Sequence, residues 1–212
     1  MRPCQILAAL AVLFASACAT TSATPRTRYR LGDYVVYRYQ GPGLAEPVTL
    51  REEVTAQEGN RLRIDVTAAR AAEERRWVQV LTDTPENQKA NKIDALYESV
   101  NGGYVKLANA DNRDVYRLYE WTLFVPDKPA SGIMKSECQR PILNHEMTCR
   151  CTNGQSEWKG AVLLFEATEC PAFLWTNGTS RFTDAATGED VLKVEVLEQG
   201  RKAAAAQQTF EP

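Results

Sequence analysis

The sequence predicts a mainly β (α+β) domain, a curved antiparallel sheet or half-barrel with one helix packed across it. Three observations carry that expectation. Leu62, Ile64, Val66 and Ala68 alternate with Arg61, Arg63, Asp65 and Thr67, the period of a strand with one buried face. Turn residues recur at short intervals (Gly59-Asn60, Asn101-Gly102, Asn153-Gly154, Thr187-Gly188), so successive strands reverse tightly and run antiparallel. Only residues 109–124 carry a clear helical period.

Taken in order, residues 34–39 (YVVYRY) are aromatic and β-branched, which suits a half-buried pleated surface, and Gly41-Pro42-Gly43 ends them. The next strand sets Val48, Leu50, Glu52 and Val54 against Thr49, Arg51, Glu53 and Thr55. Glu58-Gly59-Asn60 turns the chain into the Leu62–Ala68 alternation. A turn near 71–74 leads to a strand at 76–81.

Residues 93–108 fit two templates. Ile93, Leu96, Tyr97 and Val100 have helical spacing, with Thr84-Pro85 as a start signal. Folding about Asn101-Gly102 instead sets Val100 opposite Gly103, Glu98 opposite Val105 and Leu96 opposite Leu107. Leu96, Val100, Val105 and Leu107 then share one face, and that agreement selects the hairpin.

The helix at 109–124 places Val115, Leu118, Tyr119 and Thr122 at i, i+3, i+4 and i+7. Asp111 and Asp114 sit near its positive end, Pro126 and Pro129 stop it, and Tyr116 and Trp121 are expected to seat it on the sheet. Strands at 149–152 and 157–168 are expected to flank an Asn153-Gly154 hairpin. Asn177-Gly178 and Thr187-Gly188 punctuate the later chain, and Leu192, Val194 and Val196 point inward from the last strand. Residues 201–212 have no periodic partner and are expected to form a disordered tail. A meander of this length curls, which gives the half-barrel.

The first residues set the compartment. Arg2 precedes an apolar run at 6–14, and the small residues Ala15, Ser16 and Ala17 precede Cys18, the order of an export signal. The run is shorter than the roughly 20 apolar residues that cross a bilayer. Ala15-Ser16-Ala17-Cys18 resembles the lipobox of bacterial lipoproteins, with alanine at the position where leucine is usual. The resemblance covers the first two dozen residues. It implies that Cys18 is acylated and becomes the new N-terminus, so that the membrane is a partner through this N-terminal lipid. Ala19, in place of a retention aspartate, implies the outer membrane, facing the periplasm or the surface. Ordinary cleavage after Ala-x-Ala is the alternative. Residues 1–17 are thus a signal peptide and 18–28 a small, polar tether broken by Pro25, ahead of a single domain at 29–200.

Removing 17 of the 212 residues leaves 195, and without Arg2 24 basic residues face 27 acidic ones, a net charge near −3. That balance, with no basic run, argues against a nucleic-acid partner. Cys138, Cys149, Cys151 and Cys170 are even in number in an exported chain and read as two disulfides. Cys149 and Cys151 share a strand face and are badly placed to bond each other, so each reaches Cys138 or Cys170; the pairing stays open. A zinc site at Cys138, His145, Cys149 and Cys151 is the rival reading, but the spacing lacks paired C-x2-C units.

No motif names a reaction. His145 is the single histidine and no G-x-S-x-G elbow accompanies it, so no catalytic residue is assigned. Glu52-Glu53 and Glu73-Glu74 are adjacent pairs that point to opposite faces and read as solvated edges or turns. Asn177-Gly178-Thr179 matches a glycosylation sequon but reads as turn chemistry. No cofactor fingerprint is present. Tyr34, Tyr37, Tyr39, Trp77, Trp158, Phe165, Phe173 and Trp175 are core residues with the potential to line an apolar cavity. The expected shape is similar, at fold level only, to periplasmic lipoprotein-carrier and lipoprotein-receptor folds. The expectation is a non-enzymatic, lipid-anchored envelope protein that binds, carries or assembles a lipid or protein partner. The alternative is a periplasmic hydrolase or a thiol-redox enzyme, for which Cys149-Arg150-Cys151 is one residue short of the usual Cys-x-x-Cys.

Overall fold

The computed structural model describes residues 29–90, 92–108, 112–143, 145–170, 179–203 and 206–212. The leader, Cys18 and the tether lie outside these residues, as do Asp111, Phe173, Trp175 and the Asn177-Gly178 turn.

The strands are β1 (Asp33–Gln40), β2 (Val48–Glu58), β3 (Arg61–Arg70), β4 (Glu73–Thr82), β5 (Ala95–Val100), β6 (Gly103–Lys106), β7 (Lys128–Ile142), β8 (His145–Trp158), β9 (Ala161–Glu169), β10 (Thr179–Asp184) and β11 (Asp190–Arg201). They form one 11-stranded antiparallel sheet in the order β6-β5-β4-β3-β2-β1-β11-β10-β9-β8-β7. Two meanders therefore meet where the first strand pairs with the last, and β6 and β7 are the outermost strands among the described residues.

The predicted alternations supply the buried face. Val48, Leu50 and Val54 of β2, Leu62, Ile64, Val66 and Ala68 of β3, and Leu192, Val194 and Val196 of β11 share one core cluster with Val35, Tyr37, Trp77 and Leu96. The hairpin about Asn101-Gly102 has the expected register, Val100 with Gly103 and Glu98 with Val105. Thr84-Pro85 does start a helix, the short α1 (Pro85–Lys89), where Thr84 Oγ1 accepts from the Asn87 N–H at 3.2 Å. Val100 and Val105 remain 44% and 53% exposed, because an edge hairpin has no neighbour to cover its outer end.

The single long helix is corrected. Among the described residues, α2 spans Asn112–Leu118, and a 3-10 turn follows at Glu120–Thr122. The break falls at Tyr119, whose carbonyl accepts from both the N–H and Oγ1 of Thr122 at 2.8 Å. Breaking there turns Trp121 toward the sheet and leaves it 7% exposed, whereas Tyr116, expected to seat the helix, is 60% exposed.

Asn153-Gly154 is not a turn. It lies inside β8, and the reversal falls at Lys159-Gly160, both at positive φ. The glycine answers a packing need instead, since a Cβ at residue 154 would lie 2.8 Å from Ile133 Cδ1 and 3.0 Å from the Ser131 carbonyl. Strand β7 bulges twice between Lys128 and Met134, and this bulged stretch lies against Gly154.

The tail is not loose either. The Gln208 N–H donates to the Thr55 carbonyl at 2.9 Å, at the bulge where β2 slips between Val54 and Ala56. Arg63, 4% exposed, donates to the Thr209 carbonyl and to Asp65, and Phe210 packs on the Val78, Val80 and Tyr97 cluster. That strap covers apolar side chains on the sheet's other face, which periodicity confined to the strands does not disclose.

Two disulfides staple β7, β8 and β9. Cys149–Cys170 continues the β8–β9 register, with Cα atoms 4.4 Å apart, and Cys138–Cys151 crosses β7–β8 diagonally at 5.9 Å. As expected, Cys149 and Cys151 do not bond each other.

Candidate functional site

Cross-strand register places Val35, Glu52, Val66, Trp77, Glu98 and Val105 in one row across β1 to β6. Next to it run Val54, Ile64, Gln79 and Leu96. Both rows face the core, so a glutamate sits where the pattern requires an apolar side chain. Glu52 is 4% exposed, and Glu53, on the opposite face, pairs with Arg51 and Lys202.

The segment from α2 to Phe124 lies over these rows. The Tyr119 hydroxyl donates to Glu52 Oε1 at 2.8 Å and accepts from Gln79 Nε2 at 2.9 Å, while its ring meets Trp77 edge-on at 4.8 Å. Trp121 is held between the guanidinium groups of Arg70 and Arg75, at 4.4 and 4.1 Å from its ring. Phe124 reaches the other wing, packing on Phe182 of β10 at 4.8 Å and Trp158 of β8 at 5.7 Å. Gly43 makes room for it, since a Cβ there would lie 2.7 Å from the Phe124 ring. In a flat sheet β4 and β8 would be seven strand spacings apart, about 34 Å, yet five residues of chain reach at most ~18 Å. The sheet must curl around this segment for Tyr119 and Phe124 to touch both strands.

Two buried polar atoms beneath the segment have no hydrogen-bond partner among the described residues, Glu52 Oε2 and Trp77 Nε1. Burial pushes the Glu52 carboxyl up from 4.5 to about 7, against the opposing effect of the Tyr119 hydrogen bond. Burial and the nearby Glu52 carboxylate likewise hold the Tyr37, Tyr39 and Tyr119 hydroxyls neutral. The site is thus a neutral-to-anionic point among the apolar side chains that the segment covers.

Beside the segment lies an open cleft of about 530 Å³ lined by Glu74, Arg75, Arg76, Glu98, Ser99, Arg117 and Glu120. Its charges are matched: Arg75 pairs with Glu120 at 2.7 Å, Arg76 with Glu74 at 2.5 Å, and Arg117 forks onto Glu98 at 2.9 and 2.7 Å. The Arg117 hydrogen bonds hold the Glu98 carboxyl below its ordinary range.

The predicted site residues fall elsewhere. Cys18 lies outside the described residues. Cys138, Cys149, Cys151 and Cys170 are all disulfide-bonded, which removes both the zinc reading and the Cys149-Arg150-Cys151 redox reading. His145 is exposed at the start of β8, and among the described residues no group of three His, Cys, Asp or Glu is placed to hold a metal. Glu73 and Glu74 are solvated, as expected, but open β4 just after the turn, paired with Arg70 and Arg76. Glu52 is not solvated: β2 is a central strand, and its bulge lies beyond Glu52, so the buried register includes it. Of the aromatics expected in the core, Tyr37 and Trp77 are buried there and Tyr39 packs against it, whereas Tyr34 bonds Glu198 and carries Arg51 over its ring.

No helix among the described residues is long and apolar enough to cross a membrane. No protein-family model matches the chain, and no curated protein does. Among solved structures it is similar to the hypothetical protein CT021 from Chlamydia trachomatis (TM-score 0.43, 9% identity, covering 85% of this chain and 92% of that one). It is also similar to MucB (TM-score 0.45, 11% identity, covering 85% of this chain and 58% of that one).

Proposed function

We propose that this protein is a non-enzymatic, lipid-anchored module of the bacterial envelope that carries an amphiphile's apolar part in the hollow of its sheet. The α2–Phe124 segment closes that hollow and must leave it for the ligand to enter. The observation that carries the reading is the imperfect closure. The segment covers Glu52 Oε2 and Trp77 Nε1 without satisfying either, and each such atom costs about 1–3 kcal/mol. A segment packed permanently would gain stability from an apolar residue in place of Glu52. The two disulfides support an oxidising compartment. Cys18, by its lipobox resemblance, supports a lipid anchor, and Ala19 by the same resemblance supports the outer membrane.

An apolar fluorescent probe, N-phenylnaphthylamine, tests the carrier. Binding should strengthen when Trp121→Ala loosens the closing segment. A probe that binds neither form would leave an assembly role with a protein partner. The anchor is tested by metabolic labelling with an alkynyl fatty acid, and label retained by Cys18→Ser would end that part of the reading.

A further inference from the structure

We propose that Glu52 makes the hollow selective for amphiphiles whose head group donates hydrogen bonds and carries no negative charge. The inference rests on the carrier reading above. Among the described residues the ionised Glu52 Oε2 is an acceptor without a donor, and Trp77 Nε1 is a donor without an acceptor; the two residues stand in one row with Val66 between them. A hydroxyl satisfies both kinds of atom, since it donates to a carboxylate and accepts from an indole N–H. A phosphate or carboxylate head satisfies only the indole and is repelled by Glu52.

The surrounding charges do not rescue an anionic head. The groups facing Glu52 from β1 and the closing segment are the neutral hydroxyls of Tyr37, Tyr39 and Tyr119, and β4 contributes the Gln79 amide. The nearby arginines are engaged, Arg70 with Glu73, Arg76 with Glu74 and Arg117 with Glu98. When the segment leaves, it takes Glu120 from Arg75 and Arg117 from Glu98. Arg75 and Glu98 then remain on the sheet within electrostatic reach of each other, and Glu52 is left as the uncompensated charge.

Calorimetric titration of the purified chain carrying Cys18→Ser, free of acyl groups and detergent, tests this with monolauroylglycerol and laurate below their micellar concentrations. The titration is run at pH 8, above the value of about 7 to which burial raises the Glu52 carboxyl, so that the carboxylate form of both groups is favoured. Monolauroylglycerol should bind at least about tenfold more tightly than laurate, the size expected for one unscreened like charge nearby. Glu52→Gln should strengthen laurate binding until the two agree within about threefold. Glu53→Gln, the same charge change on the opposite face, should leave the preference intact. Equal binding by the unsubstituted pocket, or a preference unmoved by Glu52→Gln, overturns the selectivity and leaves the carrier standing. Binding of neither probe overturns the carrier, and the selectivity with it.

Discussion

Glu52 and Trp77 stand in the same cross-strand row, two strands apart, and Tyr119 from the closing segment touches both. One tyrosine thus covers a buried acid and a buried indole but serves only one oxygen of the first and leaves the N–H of the second unserved. The closed state depends on how that acid is protonated, and the first prediction follows from it.

The Glu52 carboxyl is raised from 4.5 to about 7 by burial. The folded state therefore holds a proton that the unfolded state releases near 4.5. This contribution to stability is full below about pH 4.5 and is lost as pH rises through 7. At about 1.4 kcal/mol per tenfold change in affinity, the loss is roughly 3 kcal/mol by pH 8. Urea unfolding at pH 5 and pH 8 should show a fall of that order in the native protein and a flatter profile in Glu52→Gln. Identical pH profiles would mean that Glu52 is solvated.

Tyr119→Phe removes the donor to Glu52 Oε1 and the acceptor of Gln79 Nε2 while keeping the ring against Trp77. Two more buried groups lose their partners, so at roughly 1–3 kcal/mol for each a loss of about 2–6 kcal/mol is expected. Because the hydrogen bond lowers the Glu52 carboxyl, its loss should also move the pH transition upward. A stability change with no movement of the transition would separate Tyr119 from Glu52.

Much of the N-terminal meander was legible because β2 and β3 keep their apolar side chains on one face in strict alternation. The Leu62–Ala68 alternation and the Asn101-Gly102 register needed nothing beyond period and turn chemistry. Glu52 was legible in part, since it shares a register with Val48, Leu50 and Val54, and a carboxylate on an apolar register is a signal in itself. Reading it as half of a Glu-Glu pair hid that. The helix break at Tyr119 and the role of Gly154 depend on contacts from distant strands, which no local window contains. The tail was missed for the same reason, because its partners Thr55, Arg63 and Val78 lie more than 100 residues earlier.

The disulfides give a prediction about connectivity. Peptide mapping without reduction should recover Cys138 with Cys151 and Cys149 with Cys170. The bridges span 13 and 21 residues, so chain entropy assigns them nearly equal contributions of about 3 kcal/mol each. Paired serine replacements should lower the urea midpoint by similar amounts. A Cys149–Cys151 bridge in the map would contradict the strand geometry.

Ending the chain after Lys202 tests the strap. Without it, Arg63 Nη1 loses the Thr209 carbonyl, the Thr55 carbonyl loses the Gln208 N–H, and Val78, Val80 and Tyr97 lose Phe210. A charged hydrogen bond and an aromatic contact together amount to roughly 2–4 kcal/mol. The newly bare apolar patch should bind a hydrophobic dye and promote self-association by size-exclusion chromatography. Phe210→Ala alone should give the dye signal with a smaller loss of stability, because the backbone bond to Thr55 and the Arg63 contact survive. A truncated chain as stable and as monodisperse as the full one would show that the tail merely rests on the sheet.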